Sequence, residues 1–192
     1  DRAGRGRGAG GRAGGGGGAG RRGIERAPAV MKGNNEIDVE ASSGIVGPGV
    51  ITGGLQAGAG EQRLFCPPGP GSLDYCTLGG NVATNAGGPR CLKYGVTRNY
   101  VLGLEVVLAS GEVLRTGGRV HKNKTGFDLI GIFVGSEGML GVVTEITLKL
   151  LPLPPARATL SAAFSQISTA AAVVQEIFAQ GLLPSSLEIA DR

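Results

Sequence analysis

A short stretch rich in glycine and asparagine, residues 76–88, constrains this chain more than any other segment. Four glycines and two asparagines fall within residues 79–88, and the residues between them are small. Glycine adopts conformations closed to other residues and lets another group approach the backbone closely. Its amides can point at anionic or carbonyl oxygens, and Asn81 and Asn85 add donors and acceptors. The stretch predicts either a ligand-binding loop or an ordinary glycine-rich turn.

Two flanking segments favour the ligand-binding alternative. Upstream, Pro67, Pro68 and Pro70 fix the backbone and remove donors, so residues 64–72 form a stiff, extended lead into the glycine stretch. Downstream, a second glycine-spaced turn begins at Gly135 and runs into an apolar strand. These neighbours indicate a site assembled from several loops.

The composition is dominated by an unusual N-terminal segment. Glycine supplies 37 of the 192 residues, where about 7% is ordinary, and much of the excess lies in residues 1–23. The net charge of +4 has the same origin, because the six arginines of that segment face only Asp1. The rest of the chain is near neutral. The basic charge therefore does not indicate a nucleic-acid partner.

Residues 1–23 have two interpretations from composition alone. One is a disordered tail of glycine, arginine and alanine, because nothing in it can bury apolar surface. The other is an arm that contacts RNA, although it lacks the aromatic residues that stack on bases. Gly6, Gly8 and Gly11 also match a dinucleotide fingerprint by count, but no strand precedes them and no apolar helix follows.

The cysteines and the hydropathy pattern exclude several classes of protein. Cys66, Cys76 and Cys91 are odd in number and lack metal-site spacing, which argues against a disulfide framework or a zinc ribbon and favours a reducing compartment. No apolar run approaches the roughly 18 residues of a membrane span, so we expect no transmembrane segment.

The chain from residue 36 onward predicts alternating strands and helices. We expect a strand through Ile37, Val39 and Ala41 that continues from residue 44 to residue 50, and a helix at 51–63 weakened by four glycines. The turn at Ser110 and Gly111 predicts a hairpin between residues 100–108 and 112–116. We then expect a short helix capped by Asp128 and a strand at 140–151 with Val143, Ile146, Leu148 and Leu150 as its apolar set.

Residues beyond Pro152, Pro154 and Pro155 predict a separate β-α-β unit. Its strands are expected at 157–164 and 182–189, with a helix between them capped by Ser165 or Ser168 and ended by Gly181. Such a unit cannot close a core alone.

Five motifs follow one another in order along the chain, at residues 67–72, 79–88, 93–95, 125–129 and 135–145. Together they resemble the flavin-binding domain of the vanillyl-alcohol-oxidase type, also called the PCMH type. The resemblance is greatest to the flavin-binding chain of glycolate oxidase and to FAD-linked D-lactate dehydrogenases. Gly69, Phe127 and Met139 depart from the family's usual Asp, Tyr and Thr. The resemblance covers residues 36–192. It also gives residues 1–23 a third interpretation, in which Arg7 to Gly10 with Gly15 and Gly16 form a degraded FAD pyrophosphate loop.

The resemblance implies an α+β fold with three regions. Residues 1–35 would be the glycine- and arginine-rich, degraded or disordered pyrophosphate-loop region. Residues 36–152 would be a PCMH-type FAD-binding domain of two α/β subdomains. Residues 153–192 would be the truncated start of a ferredoxin-like α+β cap domain.

The resemblance also implies FAD as the cofactor and oxidation of a 2-hydroxy acid, glycolate or D-lactate, to the 2-oxo acid. The chain would then be an incomplete fragment of that enzyme; the alternative is a non-catalytic flavin-binding or structural module. The implied partners are the hydroxy acid and further glycolate oxidase subunits or another electron acceptor. The implied location is the cytoplasm, at the inner membrane through partner subunits.

The implied cofactor contacts lie on three loops. Cys76 and Thr77 either donate to the flavin or pack, and Glu137 either lies near the flavin or caps its turn. We name no catalytic residue and no metal ligand, because the family's histidine cluster lies in a later segment, and His121 is expected to be a solvated loop residue. The expected contacts are Pro67, Cys76, Thr77, Gly79, Gly80, Asn81, Asn85, Gly88, Gly141, Val142 and Val143.

Overall fold

A computed structural model describes Met31 and residues 36–190 of the chain. The expected pyrophosphate loop, from Arg7 to Gly16, lies outside the described residues. The strands are β1 Glu36–Asp38, β2 Ser43–Val46, β3 Leu64–Phe65, β4 Val101–Val107, β5 Val113–Gly117, β6 Val142–Lys149 and β7 Leu151–Pro152. The helices are α1 Thr52–Glu61, α2 Leu78–Thr84, α3 Cys91–Tyr94, α4 Leu129–Phe133 and α5 Ile167–Ala179, with a 3-10 turn at Thr97–Tyr100.

Five of the strands form one antiparallel sheet in the order β1-β2-β6-β4-β5, and β3 pairs with β7 in a separate ladder. The central strands β4 and β6 carry the buried Leu104, Val106, Ile146 and Leu148. The core continues from the sheet into α1 and α2 through Leu55, Ala59, Leu78 and Val82. The predicted mixture of helix and sheet is confirmed, and the sheet and these two helices share one core.

The predicted hairpin and the predicted last strand are confirmed. β4 turns into β5 through Gly111, whose φ of 88° is the left-handed conformation that the tight turn requires. In β6 and the residue that follows it, Ile146, Leu148 and Leu150 are buried, and Val143 packs against the core. The carboxylate of Asp128 accepts a hydrogen bond from the backbone N–H of Gly131 at 2.8 Å, so the predicted cap of α4 is also confirmed.

Helix α1 forms despite its four glycines. Its buried residues Thr52, Leu55 and Ala59 lie on one face, and the burial of Leu55 and Ala59 offsets the low helix propensity of glycine. Gly54 and Gly60 face open space, whereas a methyl group on Gly53 would lie 3.2 Å from the carbonyl oxygen of Leu73. Tertiary packing, rather than helix propensity, therefore stabilises this helix.

The predicted strand through Ile37, Val39 and Ala41 is wrong in its second half. β1 ends at Asp38, and the chain turns back at once into β2. The turn is closed by Asp38, whose side chain accepts from the N–H of Ala41 at 2.9 Å, and by Ser42, whose φ is 47°. A carboxylate that bonds the backbone three residues on favours a turn over a strand.

The two strands expected at residues 157–164 and 182–189 are absent, and only helix α5 of the expected β-α-β unit forms. No described strand lies beside either segment, and a strand needs a neighbour to pair its backbone groups. The helix begins after Gln166, without a side-chain cap from Ser165 or Ser168. Its predicted end at Gly181 is confirmed, because Gly181 has a φ of 74° and Leu182 donates to the carbonyl of Ile177 at 3.2 Å.

None of the helices in the described part of the chain combines the length and the apolar character that crossing a membrane requires.

Candidate functional site

The glycine–asparagine stretch folds mainly into a short helix, α2, rather than an open loop. Thr77 begins this helix, with its hydroxyl accepting from the N–H of Gly80 at 3.1 Å. Asn85 ends it in the left-handed conformation, with φ 48° and ψ 52°. Asparagine tolerates that conformation better than most residues. The sequence feature thus encodes a helix with a defined start and stop.

The first amides of α2 already have acceptors within the protein. The N–H of Leu78 donates to the carbonyl of Val50 at 2.9 Å, and the N–H of Gly79 donates to the carbonyl of Pro48 at 2.8 Å. A methyl group on Gly79 would lie 2.7 Å from Cβ of Pro48. The close approach that the glycines permit is therefore to the loop before α1. The Gly80 amide donates to the Thr77 hydroxyl at 3.1 Å, so both of these glycine amides have an acceptor within the protein.

The proline segment meets the glycine stretch at Gly88. A methyl group on Gly88 would overlap the carbonyl oxygen of Gly69, so only glycine fits there. Gln56 of α1 also holds this segment, donating to the carbonyls of Cys66 and Pro68 at 3.0 Å each. Pro67 is fully buried. The proline segment and the glycine–asparagine stretch therefore pack directly against each other and form one unit.

The glycine turn at residues 135–138 joins the same unit at the end of α2. Gly135 donates to the carbonyl of Val82 at 2.9 Å, and Glu137 donates to the carbonyl of Ala83 at 2.8 Å. These two backbone bonds bring the second predicted loop directly onto α2. Glu137 itself has a φ of 54° and an exposed side chain at the turn.

Arg98 connects these loops, and the sequence analysis missed it. Its backbone N–H donates to the side-chain oxygen of Asn85 at 2.9 Å. Its guanidinium donates to the carbonyl of Val134 at 2.7 Å. One residue thereby fixes the end of α2 relative to the turn that starts at Gly135. No local pattern marks this arginine, because both contacts are distant in sequence.

The last three expected contact residues lie at the start of β6. Val142 and Val143 pair with Val107 and Val106 of β4, and α2 packs against β6. A methyl group on Gly141 would lie 2.6 Å from Cγ1 of Val106, so the approach to β4 requires glycine. Val143 is half-buried against the core, whereas Val142 is exposed.

A buried polar cluster lies between α1 and α2. The side-chain nitrogen of Asn81 donates to the hydroxyl of Thr52 at 2.8 Å. The thiol of Cys76 donates to the same hydroxyl at 3.2 Å, and the carbonyl of Cys76 accepts from the N–H of Thr52 at 3.0 Å. Thr52 is fully buried and is a second residue that the sequence analysis missed. Its only sequence signal is its place at the start of the predicted helix.

The side-chain oxygen of Asn81 shows whether this region fits FAD, because it is an acceptor that needs a donor. It is buried, and no described residue donates to it. A buried acceptor without a donor costs about 1–3 kcal/mol, so such atoms usually have a partner. FAD carries N–H and O–H donors on its ring, ribityl chain and adenine. The acceptor at Asn81 therefore fits the cofactor, whereas a purely anionic ligand would offer it nothing.

The three cysteines are free thiols. Burial raises the pKa of the Cys66 thiol to about 12, and the positive charge of Arg90 opposes this only in part. Cys76 is buried against Thr52, which supports the packing alternative for that residue. Cys91 is partly exposed, and its sulfur accepts from the N–H of Gly88 at 2.9 Å. Cys66 is therefore an inert structural thiol at neutral pH.

His121 lies on an exposed loop, where its Nε2 is 2.8 Å from the carbonyl oxygen of Ala41. This position agrees with the expected solvated loop residue. Within the described ranges, no three His, Cys, Asp or Glu side chains are grouped as metal ligands would be.

The chain is similar in sequence to several known proteins. The chain is 49% identical to glycolate oxidase subunit GlcD of Bacillus subtilis (strain 168) over 157 residues, which are 82% of this chain and 33% of that protein. It is 42% identical to a D-lactate dehydrogenase of Anaerostipes hadrus over 144 residues, 75% of this chain and 30% of the relative. The chain thus spans about a third of the length of these relatives.

Solved structures support the same fold. The chain aligns with alkyldihydroxyacetonephosphate synthase at a TM-score of 0.67 and 23% identity, covering 81% of this chain and 28% of the other. This likeness concerns the fold alone.

A family profile described as an FAD binding domain matches residues 5–117, which is more than half of the chain. The match includes the proline segment, the glycine–asparagine stretch, Arg98 and the β4–β5 hairpin. The chain therefore belongs to the family of FAD binding domains.

Proposed function

We propose that this chain supplies the FAD-holding part of an enzyme that oxidises a 2-hydroxy acid, glycolate or D-lactate, to the 2-oxo acid. When bound, FAD accepts the two electrons and the protons that leave the hydroxy acid. The proposal rests on one observation, the assembly of the proline segment, α2 and the turn at residue 135 into a single unit. The names of the relatives support the substrate class, since they act as glycolate oxidase subunits and D-lactate dehydrogenases.

The residues of this unit would have separate tasks. Pro67 and Gly88 fix the backbone of the proline segment against α2. Asn81 presents a buried acceptor to an N–H or O–H group of FAD and is oriented by Thr52. Gly141, Val142 and Val143 offer backbone groups at the start of β6. The full proposed set is Pro67, Cys76, Thr77, Gly79, Gly80, Asn81, Asn85, Gly88, Gly141, Val142 and Val143.

The remaining proposals concern the whole protein. We propose that residues 36–152 form the PCMH-type FAD-binding domain, with two α/β subdomains, and that residues 153–192 begin a ferredoxin-like cap. The exposed apolar side chains of α5, including Ile167 and Phe178, support a further packing layer. Relatives of this chain are named as subunits, which supports the proposal that it has partner subunits. Its free cysteines support a location in the reducing cytoplasm, where partner subunits would hold it at the inner membrane.

A hybrid enzyme tests the proposed reaction. Residues 36–190 of this chain would replace the matching segment of the Bacillus subtilis glycolate oxidase subunit, with the unmodified subunit as control. We expect the hybrid to retain FAD and its flavin absorbance to be bleached by glycolate or D-lactate without oxygen. L-lactate serves as the control substrate. A hybrid that holds FAD but is reduced by neither acid would contradict the proposal and favour the non-catalytic flavin module.

A further inference from the structure

A groove of about 370 Å³ lies beside the sheet, outside the unit formed by the proline segment and α2. One wall is the sheet, through Leu102 of β4 and Thr116 of β5, and the other is the segment 120–128 that leads into α4. Its volume falls in the range of about 300–1,000 Å³ that is usual for small-molecule sites.

The groove carries a net positive charge. Arg98 and Lys124 line it, and neither forms an ion pair with another described residue. Asp128 is the opposing charge, and one of its oxygens accepts from the N–H of Gly131 at the start of α4. Two cations and one carboxylate leave one positive charge when His121 is neutral. This balance suits a ligand with a single negative charge.

The groove also has apolar walls that a simple anion would leave uncovered. Leu102 and Ile130 are only partly buried. The Phe127 ring is 93% exposed and Val120 is 60% exposed, although both line the groove. An aromatic ring beside a cavity can stack on a flat ligand. A bound molecule with an aromatic body would cover these side chains.

The outer wall of the groove is anchored to the rest of the fold. Arg119 forms ion pairs with Glu36 at 2.7 Å and with Asp38 at 3.5 Å. His121 adds a hydrogen bond to the carbonyl of Ala41 at 2.8 Å. These contacts tie the segment after β5 to the β1–β2 hairpin, which lies at the opposite edge of the sheet. The groove is thus formed before a ligand arrives, which lowers the entropic cost of binding.

We propose that this groove is a binding site for a small aromatic carboxylate, with the carboxylate near Lys124 and Arg98 and the ring on Phe127. The groove is lined by residues 125–129, one of the five motifs, and Arg98 borders both the groove and the end of α2. The proposal does not depend on hydroxy-acid oxidation.

An NMR titration of the full chain with benzoate tests this site. We expect the backbone amide signals of Gly117, Gly126 and Gly131, which line the groove, to shift in a saturable way, with a Kd of order 1 mM. Benzamide, a neutral molecule of the same shape, should bind more weakly. Lys124→Ala should weaken benzoate binding about two- to fivefold, as expected for one exposed charge. Lys122→Ala, at a neighbouring lysine outside the groove, is the matched control and should leave the Kd unchanged.

Four results would overturn the proposal. Equal binding of benzoate and benzamide would exclude a role for the cations. Equal effects of the Lys122 and Lys124 substitutions would reduce the interaction to general surface charge. Displacement of benzoate by an equal concentration of inorganic phosphate would show a simple anion site without a role for Phe127. Shifts confined to the signals of residues outside the groove would also contradict the proposal.

Discussion

At the residue scale, single glycines determine which segments can touch. Gly79 lies against Pro48, and Gly88 lies against the carbonyl of Gly69. The sequence indicated that something bulky approaches this stretch, and the structure identifies protein backbone and a proline ring as its neighbours. Composition alone could not distinguish these from a ligand, because glycine permits both kinds of approach.

Substitution of Gly88 tests the contact between the two motifs. Gly88→Ala should lower the free energy of unfolding by about 1–3 kcal/mol, because the added methyl group overlaps the Gly69 carbonyl. Gly71→Ala is the matched control in the same segment, since a methyl group there meets nothing within 4 Å. Urea denaturation of the three proteins measures the difference. Equal stability of the two variants would show that Gly88 is not packed against Gly69.

At the element scale, two helix ends were easier to predict than the strands after residue 152. α4 and the end of α5 were marked by Asp128 and Gly181, whose signals are local. The strands expected at residues 157–164 and 182–189 do not form. A strand needs a partner strand to pair its backbone groups, and the alternation of apolar residues does not show whether a partner is present. Local signals therefore sufficed for these two helix ends, and long-range pairing was required for the strands.

Glu105 links three strands of the sheet and gives a prediction for pH dependence. The hydroxyl of Thr144 on β6 donates to its carboxylate at 2.7 Å, and Arg115 on β5 forms an ion pair with it. The Thr144 hydrogen bond, assisted by Arg115, lowers the pKa of Glu105 below its ordinary value. A carboxyl whose pKa is lowered by folding stabilises the fold above its ordinary pKa. That contribution is lost as the pH falls through the lowered value.

Glu105→Gln should therefore destabilise the protein by about 1 kcal/mol or less at pH 7, because Arg115 is largely exposed to solvent. The difference from the original protein should shrink as the pH is lowered toward 3. Glu61→Gln, at an exposed position at the end of α1, is the control. Unfolding free energies measured from pH 7 to pH 3 provide the test. A difference that stays constant with pH would exclude the charged carboxylate as the cause.

At the scale of the whole molecule, the five motifs predicted the family, and the structure supplied the contacts between them. Arg98 and Thr52 are the clearest examples, because each joins segments that lie far apart in the sequence. No local pattern marked the contacts that either residue makes. Apolar periodicity predicted most of the central sheet, since β4 buries Leu104 and Val106 and β6 buries Ile146 and Leu148. The side chains that hold the loops together became visible only in three dimensions.

FAD binding is the property of the whole molecule on which the proposed function depends. The described unit offers Asn81 as a buried acceptor, and backbone contacts between described residues join its three loops. We therefore expect the cofactor to bind to the chain as it stands.

The most direct test is the absorption spectrum of the purified chain after incubation with FAD and desalting, with circular dichroism to establish that the protein is folded. The account predicts that the protein fraction keeps flavin bands that are shifted from those of free FAD. A folded, colourless protein with all of the FAD in the later, small-molecule fractions would contradict it.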